Sequence, residues 1–215
     1  MKSLLSLLFA LLVVLGSPAL AQELAPDAMV RQVTEDVLTV VRQDKDIQGG
    51  NTRKAIDLVE TKVLPYFNFQ RMTALAMGVD WKKASPEQKK RLSEEFKTLL
   101  VRTYSNALTS YKNQTVVYKP SKVTAGDTEA VVKTEIVQPG NKPVQLDYSL
   151  EKQGESWKVY DVIVAGVSLV TNYRSSFGQE IARGGIDGLI RSLEERNRAL
   201  AEQQGMSQGD AGRGA

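Results

Sequence analysis

The chain has 215 residues, 42% of them hydrophobic and 25% charged, a formal net charge of +3, and neither cysteine nor histidine. The two absent residue types exclude a thiol nucleophile, a disulfide, a Cys/His zinc site, a Ser-His-Asp triad and an imidazole proton shuttle. The mild basic excess is not the footprint of a nucleic-acid binder, and the length suits one domain or at most two small ones.

Residues 1–21 read as a cleaved export signal. Lys2 is a short positive n-region, Leu4 to Leu15 is apolar apart from Ser6, and Gly16 and Pro18 lead to the A-x-A site Ala19-Leu20-Ala21. The apolar run is about 12 residues where a membrane span needs ~20. No cysteine follows it, so it is not a lipoprotein signal. The expected organisation is a leader at 1–21, one domain at 22–204 in the periplasm, and a disordered tail at 205–215, where Gly, Ser, Asp and Arg dominate.

The mature chain begins helical. Met29, Val30, Val33, Val37, Val40 and Val41 fall on a 3.6-residue stripe, with Asp27 placed as its N-cap and Gly49-Gly50-Asn51 as its end. Ala55 to Val63 is a second stripe closed by Pro65, and Phe69 to Met77 a third closed by Gly78. Ser85, Pro86 and Gln88 form a capping box that opens the clearest helix. Its stripe from Leu92 through Phe96, Leu99, Leu100 and Leu108 to Tyr111 predicts a helix ~40 Å long.

The period then changes to two. Strands are expected at Thr115 to Lys119, Glu129 to Val137, Val144 to Leu150 and Trp157 to Val164, an antiparallel meander of four. The last carries Trp157, Val159 and Ile163 on one parity and Tyr160, Val162 and Val164 on the other, so it is predicted to be central and covered on both faces. Gly166 is expected to end the sheet. Helices follow over Leu169 to Ile181 and from Ile186 to Leu200, separated by Arg183-Gly184-Gly185. Helices, then strands, then helices is an α+β order.

No catalytic constellation stands out. Without histidine, an isomerase or hydratase on such a scaffold would depend on Asp161, Asp147 or a tyrosine. Glu94-Glu95 and Glu194-Glu195 read as solvated helix faces. Arg102, Lys158 and Arg174 are the basic residues nearest the apolar segments, where a phosphate contact competes with plain solvation. The apolar surplus fits either a filled core, as in an adaptor, or a cavity between a curved sheet and a long helix.

Specific strings add a resemblance. Tyr66-Phe67-Asn68-Phe69 with Met72, Gly78 and Trp81, then Leu99-Leu100-Val101-Arg102-Thr103-Tyr104, Asp147-Tyr148 and Trp157-Lys158-Val159-Tyr160-Asp161-Val162 resemble the toluene-tolerance (MlaC) family. Gly166-Val167-Ser168-Leu169-Val170, Asn172-Tyr173-Arg174 and Gly185-Ile186-Asp187-Gly188 continue the match, which runs from about Met29 to Leu200. Asn68 stands where the family usually has aspartate, and Ala165 where an acid often precedes G-V-S.

The resemblance implies a non-enzymatic periplasmic phospholipid carrier of Gram-negative lipid transport, without cofactor or metal. It implies an NTF2/cystatin-like curved four-stranded sheet, wrapped by helices around an apolar cavity. It implies a monomer that shuttles phospholipid between an outer-membrane lipoprotein–porin complex and an inner-membrane ABC transporter with a ring of MCE domains, and so maintains outer-membrane lipid asymmetry. The apolar faces of the matched segments then give the expected lining: Phe67, Phe69, Met72, Leu99, Leu100, Tyr104, Leu108, Tyr148, Leu150, Val162, Val164, Val167 and Tyr173.

Overall fold

The computed structural model describes residues 24–211 apart from residue 125, and the side chains only as far as residue 205. The expected leader lies outside the described residues. No helix among those described is long and apolar enough to cross a membrane.

Helix α1 (Pro26–Gln43) starts two residues earlier than expected. Ala25 is its N-cap, Pro26 takes the first position, and Asp27 sits in the first turn, where a carboxylate favours the helix dipole. The helix also stops before the glycines. Asp44 accepts hydrogen bonds from the Asp46 and Ile47 N–H groups and opens α2 (Lys45–Gln48). The Ile47 N–H and the Lys54 ammonium hold the Asp44 carboxyl below the usual carboxylate range. Asn51 caps α3 (Thr52–Lys62), and Asn68 caps α4 (Phe69–Met77). Helix α5 (Pro86–Tyr104) carries the complete Ser85/Gln88 capping box. It does not run on to Tyr111. The Ser105 hydroxyl donates to the Val101 carbonyl at 2.6 Å, an interaction that competes with the helical ladder, and a separate turn, α6 (Asn106–Thr109), follows.

The sheet is an antiparallel meander in the order β1 (Thr115–Tyr118), β2 (Glu129–Val137), β3 (Val144–Gln153), β4 (Ser156–Val164) and β5 (Val167–Ser168). Five strands replace the expected four, because Gly166 does not end the sheet. Ala165 and Gly166, with φ of 49° and 84°, form a two-residue hairpin turn. Val167 thereby pairs with Val164, and Ser168 with Ile163.

Strand β4 also differs from its expected central, two-faced form. Leu150 lies opposite Val159 and Ser149 opposite Asp161, so Tyr160 is an extra residue without a cross-strand partner. Such a bulge reverses the inside–outside parity along the strand. Trp157, Val159, Val162 and Val164 therefore share one face, the face of Leu146, Tyr148 and Leu150. The free edge of β4 is covered at one end by β5 and at the other by Phe67 and Asn68, whose N–H donates to the Val159 carbonyl at 2.8 Å.

Three apolar clusters hold the molecule together. Met29 and Val30 of α1 pack on Ala130, Val132, Leu150, Trp157 and Val159 of the sheet. Further along α1, Val37 and Val41 pack on Ile47, Ala55 and Leu58. The third cluster joins α4, α5 and α7 (Arg174–Ala211) around Met72, Phe96, Leu99, Val170, Phe177, Ile190 and Leu193. Gly185 breaks α7 with φ 66°, as the Gly184-Gly185 pair suggested. Beyond it α7 runs parallel to α5, tied by Arg91–Glu194 at 2.6 Å and by Asn197 and Gln204 bonds to Glu95 and Arg102.

The capping box leads to a stability prediction. Ser85→Ala is expected to cost about 1 kcal/mol, lowering Tm by ~2–4 °C for a domain of this size. A thermal melt followed by circular dichroism checks it, and an unchanged Tm would show the cap to be idle.

Candidate functional site

The sheet face that meets α1 is mainly apolar, interrupted by Thr134, and it is not filled along its whole length. At one end Ala130, Val132, Leu150, Trp157 and Val159 are buried beneath Met29 and Val30. Tyr148 and Val162 are half-buried at the margin of that cluster. Beyond them Ile136, Leu146 and Val164 are half-buried and belong to none of the three clusters. Val144 and Val167, on the same face, are 41% and 56% exposed. This is a run of β-branched and leucine side chains that lies outside the three clusters and is only partly covered. Leaving such surface in water costs roughly 25 cal/mol per Å², so its presence marks a binding surface more often than a defect.

Tyr148 is the polar member of that wall. Burial pushes its hydroxyl well above the ordinary tyrosine value, with the Thr34 and Thr134 hydroxyls as its neighbours, so it stays neutral. Asp147 and Asp161 lie on the opposite parity and do not face the apolar run. Asp161 accepts from the Ser168 hydroxyl at 2.6 Å and from the Val162 and Val170 N–H groups, which ties β5 to β4. No group of carboxylates suited to a metal ion occurs among the described residues.

The expected lining residues divide into two sets. Tyr148, Leu150, Val162, Val164 and Val167 come together on one sheet face. Leu150 is fully buried at its filled end. Met72, Leu99 and Leu100 are buried in the helical cluster, and Phe69 and Tyr173 pack against it, Tyr173 with its ring 5.1 Å from Phe96. Phe67 touches both the helical and the sheet clusters and stacks on Phe69 at 5.8 Å. Leu108 packs beside α3, and Tyr104 is 41% exposed at the end of α5. Ile136, Val144 and Leu146 were not among the expected residues. Their alternation in β2 and β3 was visible, but alternation selects a face and not the end of the face that stays open.

The three basic residues near these segments are engaged elsewhere. Arg102 donates to Gln204 at 3.1 Å, Lys158 to the Pro65 carbonyl at 2.5 Å, and Arg174 to the Leu75 carbonyl at 2.9 Å. The main electrostatic feature is Arg71, which sequence reasoning passed over. It pairs with Glu151 and, at 2.5 Å, with Glu129, and its guanidinium lies 3.6 Å from the centre of the Tyr160 ring. Partial burial opposes its charge, but the two carboxylates outweigh that and raise its pKa. Asn68 donates to Glu151 at 2.6 Å, a bond that an ionised aspartate there could not make. One side chain of α4 thus fastens the helical layer to β2, β3 and β4.

The MlaC protein family model matches residues 31–195. The chain belongs to the MlaC family. Among curated MlaC relatives, the intermembrane phospholipid transport system binding protein MlaC of Haemophilus influenzae is 27% identical over 194 residues, 88% of this chain and 90% of that protein. The toluene tolerance protein ttg2D of Pseudomonas putida is 30% identical over 163 residues, 75% of each chain. Among solved structures, the phospholipid-binding protein from Ralstonia solanacearum in complex with a phospholipid is 43% identical, with a TM-score of 0.76 over 81% of this chain and 98% of that one. The family model spans the sheet, most of α1 and most of the helical cluster.

Arg71→Met is expected to destabilise the fold by ~2 kcal/mol, since it strands two carboxylates that now accept charge-assisted bonds. Urea unfolding measures it. A midpoint that does not move would mean the clamp contributes nothing.

Proposed function

We propose that this chain is a soluble periplasmic phospholipid carrier that shelters acyl chains and moves lipid between the outer and inner membranes. The observation that carries this is the likeness to a phospholipid-bound protein, 43% identical over 81% of this chain. The unfilled apolar end of the sheet supports it independently.

A diacyl lipid has close to 30 methylene groups, and at ~0.8 kcal/mol each their exposure costs on the order of 20 kcal/mol. Escape through water is therefore closed, and a carrier must cover the chains throughout. In this reading the acyl chains lie on Ile136, Leu146, Tyr148, Val162 and Val164, with Val144 and Val167 at the mouth. Leu150 closes the filled end of the same face, while Met72, Leu99 and Leu100 are packed in the helical cluster. A neutral Tyr148 suits such a surface, because a charged group there would have to be desolvated. The engaged Arg102, Lys158 and Arg174 leave the headgroup to solvent rather than to a built phosphate site. Release into water has the same cost as escape, so the lipid leaves only on a partner that offers an equivalent apolar path. An outer-membrane lipoprotein–porin complex and an inner-membrane ABC transporter with an MCE-domain ring are the partners of this reading, and the direction of transport is set by them.

Organic extraction and mass spectrometry of gently purified protein should recover phospholipid close to one molecule per chain; protein that carries none would overturn the carrier reading. Val162→Glu should lose most of that lipid, whereas Val79→Glu, at a position 77% exposed on the helical side, should retain it. Equal retention by both variants would remove Val162 from the lining.

A further inference from the structure

Strand β1 is shorter than the strand it pairs with. Its register runs from Thr115 opposite Val137 to Tyr118 opposite Thr134, and the last ladder bond is from the Lys119 N–H to the Lys133 carbonyl at 2.9 Å. The chain leaves the ladder at Pro120, while β2 continues to Glu129, and Pro120, Lys122 and Val123 stay alongside it across a groove. In an antiparallel ladder, alternate residues direct both backbone groups to the same neighbour. The Lys152 N–H donates to the Thr128 carbonyl, so the even-numbered residues of β2 face β3 and the odd-numbered ones face β1. The N–H and carbonyl of Val131 thus point to the side that β1 has left, and no backbone or side-chain bond to them occurs among the described residues.

A groove of about 490 Å³ lies there, bounded by Pro120, Lys122 and Val123 on one side and by Val131, Lys133 and Tyr160 on the other. The Val131 side chain is 49% exposed. The charge in the groove is one-sided. Glu129 is occupied by Arg71, whereas Lys122 and Lys133 form no ion pair among the described residues. An open strand edge beside an apolar side chain and two free ammonium groups matches one kind of occupant.

We infer that the β2 edge at Glu129–Lys133 is a docking site for an extended acidic peptide of a partner protein, which adds as a short strand beside Val131. Main-chain bonds to Val131 supply the affinity, and alternate side chains of the peptide meet the groove and the lysines. Long natural strand edges are usually blocked by bulges or charges because they recruit strands. Here the unblocked stretch is about one ladder repeat long, which suits a specific, reversible contact. The site lies on the opposite parity from the proposed lipid wall, so its success or failure is independent of where the lipid sits.

The test uses the full mature protein and a fluorescent eight-residue peptide alternating aspartate and valine. Saturable binding is expected in fluorescence anisotropy, with the Val131 amide gaining protection in hydrogen exchange. A lysine–valine peptide should bind at least ~10-fold more weakly, as should the acidic peptide to the Lys122→Glu/Lys133→Glu double variant. Backbone N-methylation of the acidic peptide should abolish binding, and Val131→Pro, checked for native circular dichroism and lipid content, should do the same. The proposal is overturned if the N-methylated peptide binds as well as its parent, if only anionic lipid vesicles bind, or if no acidic peptide saturates the site. It is also overturned if light scattering shows a dimer whose Val131 amide is already protected, since the edge would then belong to a second copy.

Discussion

Tyr160 has no partner across the β3–β4 ladder, and the arrangement of the molecule follows from that one surplus residue. Were Tyr160 paired in a regular ladder, Val162 and Val164 would fall on its parity, and Asp161 would interrupt the apolar face after Val159. With the bulge, the face continues through both valines to the hairpin at Ala165-Gly166. The same shift turns Asp161 away from that face, where its carboxylate gathers Ser168 and Val170 and so holds β5 in the sheet. Tyr160 itself supplies the ring on which Arg71 rests. A local irregularity thus builds the continuous apolar wall, the fifth strand and the anchor of the helical layer together.

The three clusters carry the stability, and the open end of the sheet face lies outside them. The helical cluster of α4, α5 and α7 holds the aromatic group Phe96, Tyr173 and Phe177 in edge and tilted contacts. The α1–sheet cluster closes one end of the β face. Neither requires the open end for its packing. A protein can leave apolar surface uncovered only if the remaining burial offsets the loss, because net stabilities are small differences between large terms. The separation of the clusters gives this chain that margin.

Much of this was legible from residue order, and the exceptions have physical reasons. The alternation of β3 follows from Val144, Leu146, Tyr148 and Leu150, the end of α4 from Gly78, and the start of α5 from its capping box. Strand β5 has two residues, too few for any period to register. The bulge made β4 look apolar on both faces, because parity was counted through a residue that does not obey it. Ser105 interrupts a stripe that remains apolar across the break, so periodicity alone ran the helix on to Tyr111. Arg71 was passed over because Glu129 and Glu151 lie 58 and 80 residues away in sequence, although the unusual Asn68 beside it marked the place. The family strings name residues on both the sheet face and the helical cluster, since an apolar helical face looks the same in sequence whether it meets a ligand or another helix.

The parallel pairing of α5 with the second half of α7 also sets an order of events during synthesis. Arg102 and Gln204 are 102 residues apart in the chain, while the strands between them form a meander of neighbours that can assemble as they emerge. Helix α5 therefore depends on the last part of the chain for the segment that covers Leu92, Phe96 and Leu99. The sheet has its pairing partners early, whereas the bundle on which it is fastened can close only when translation is almost finished.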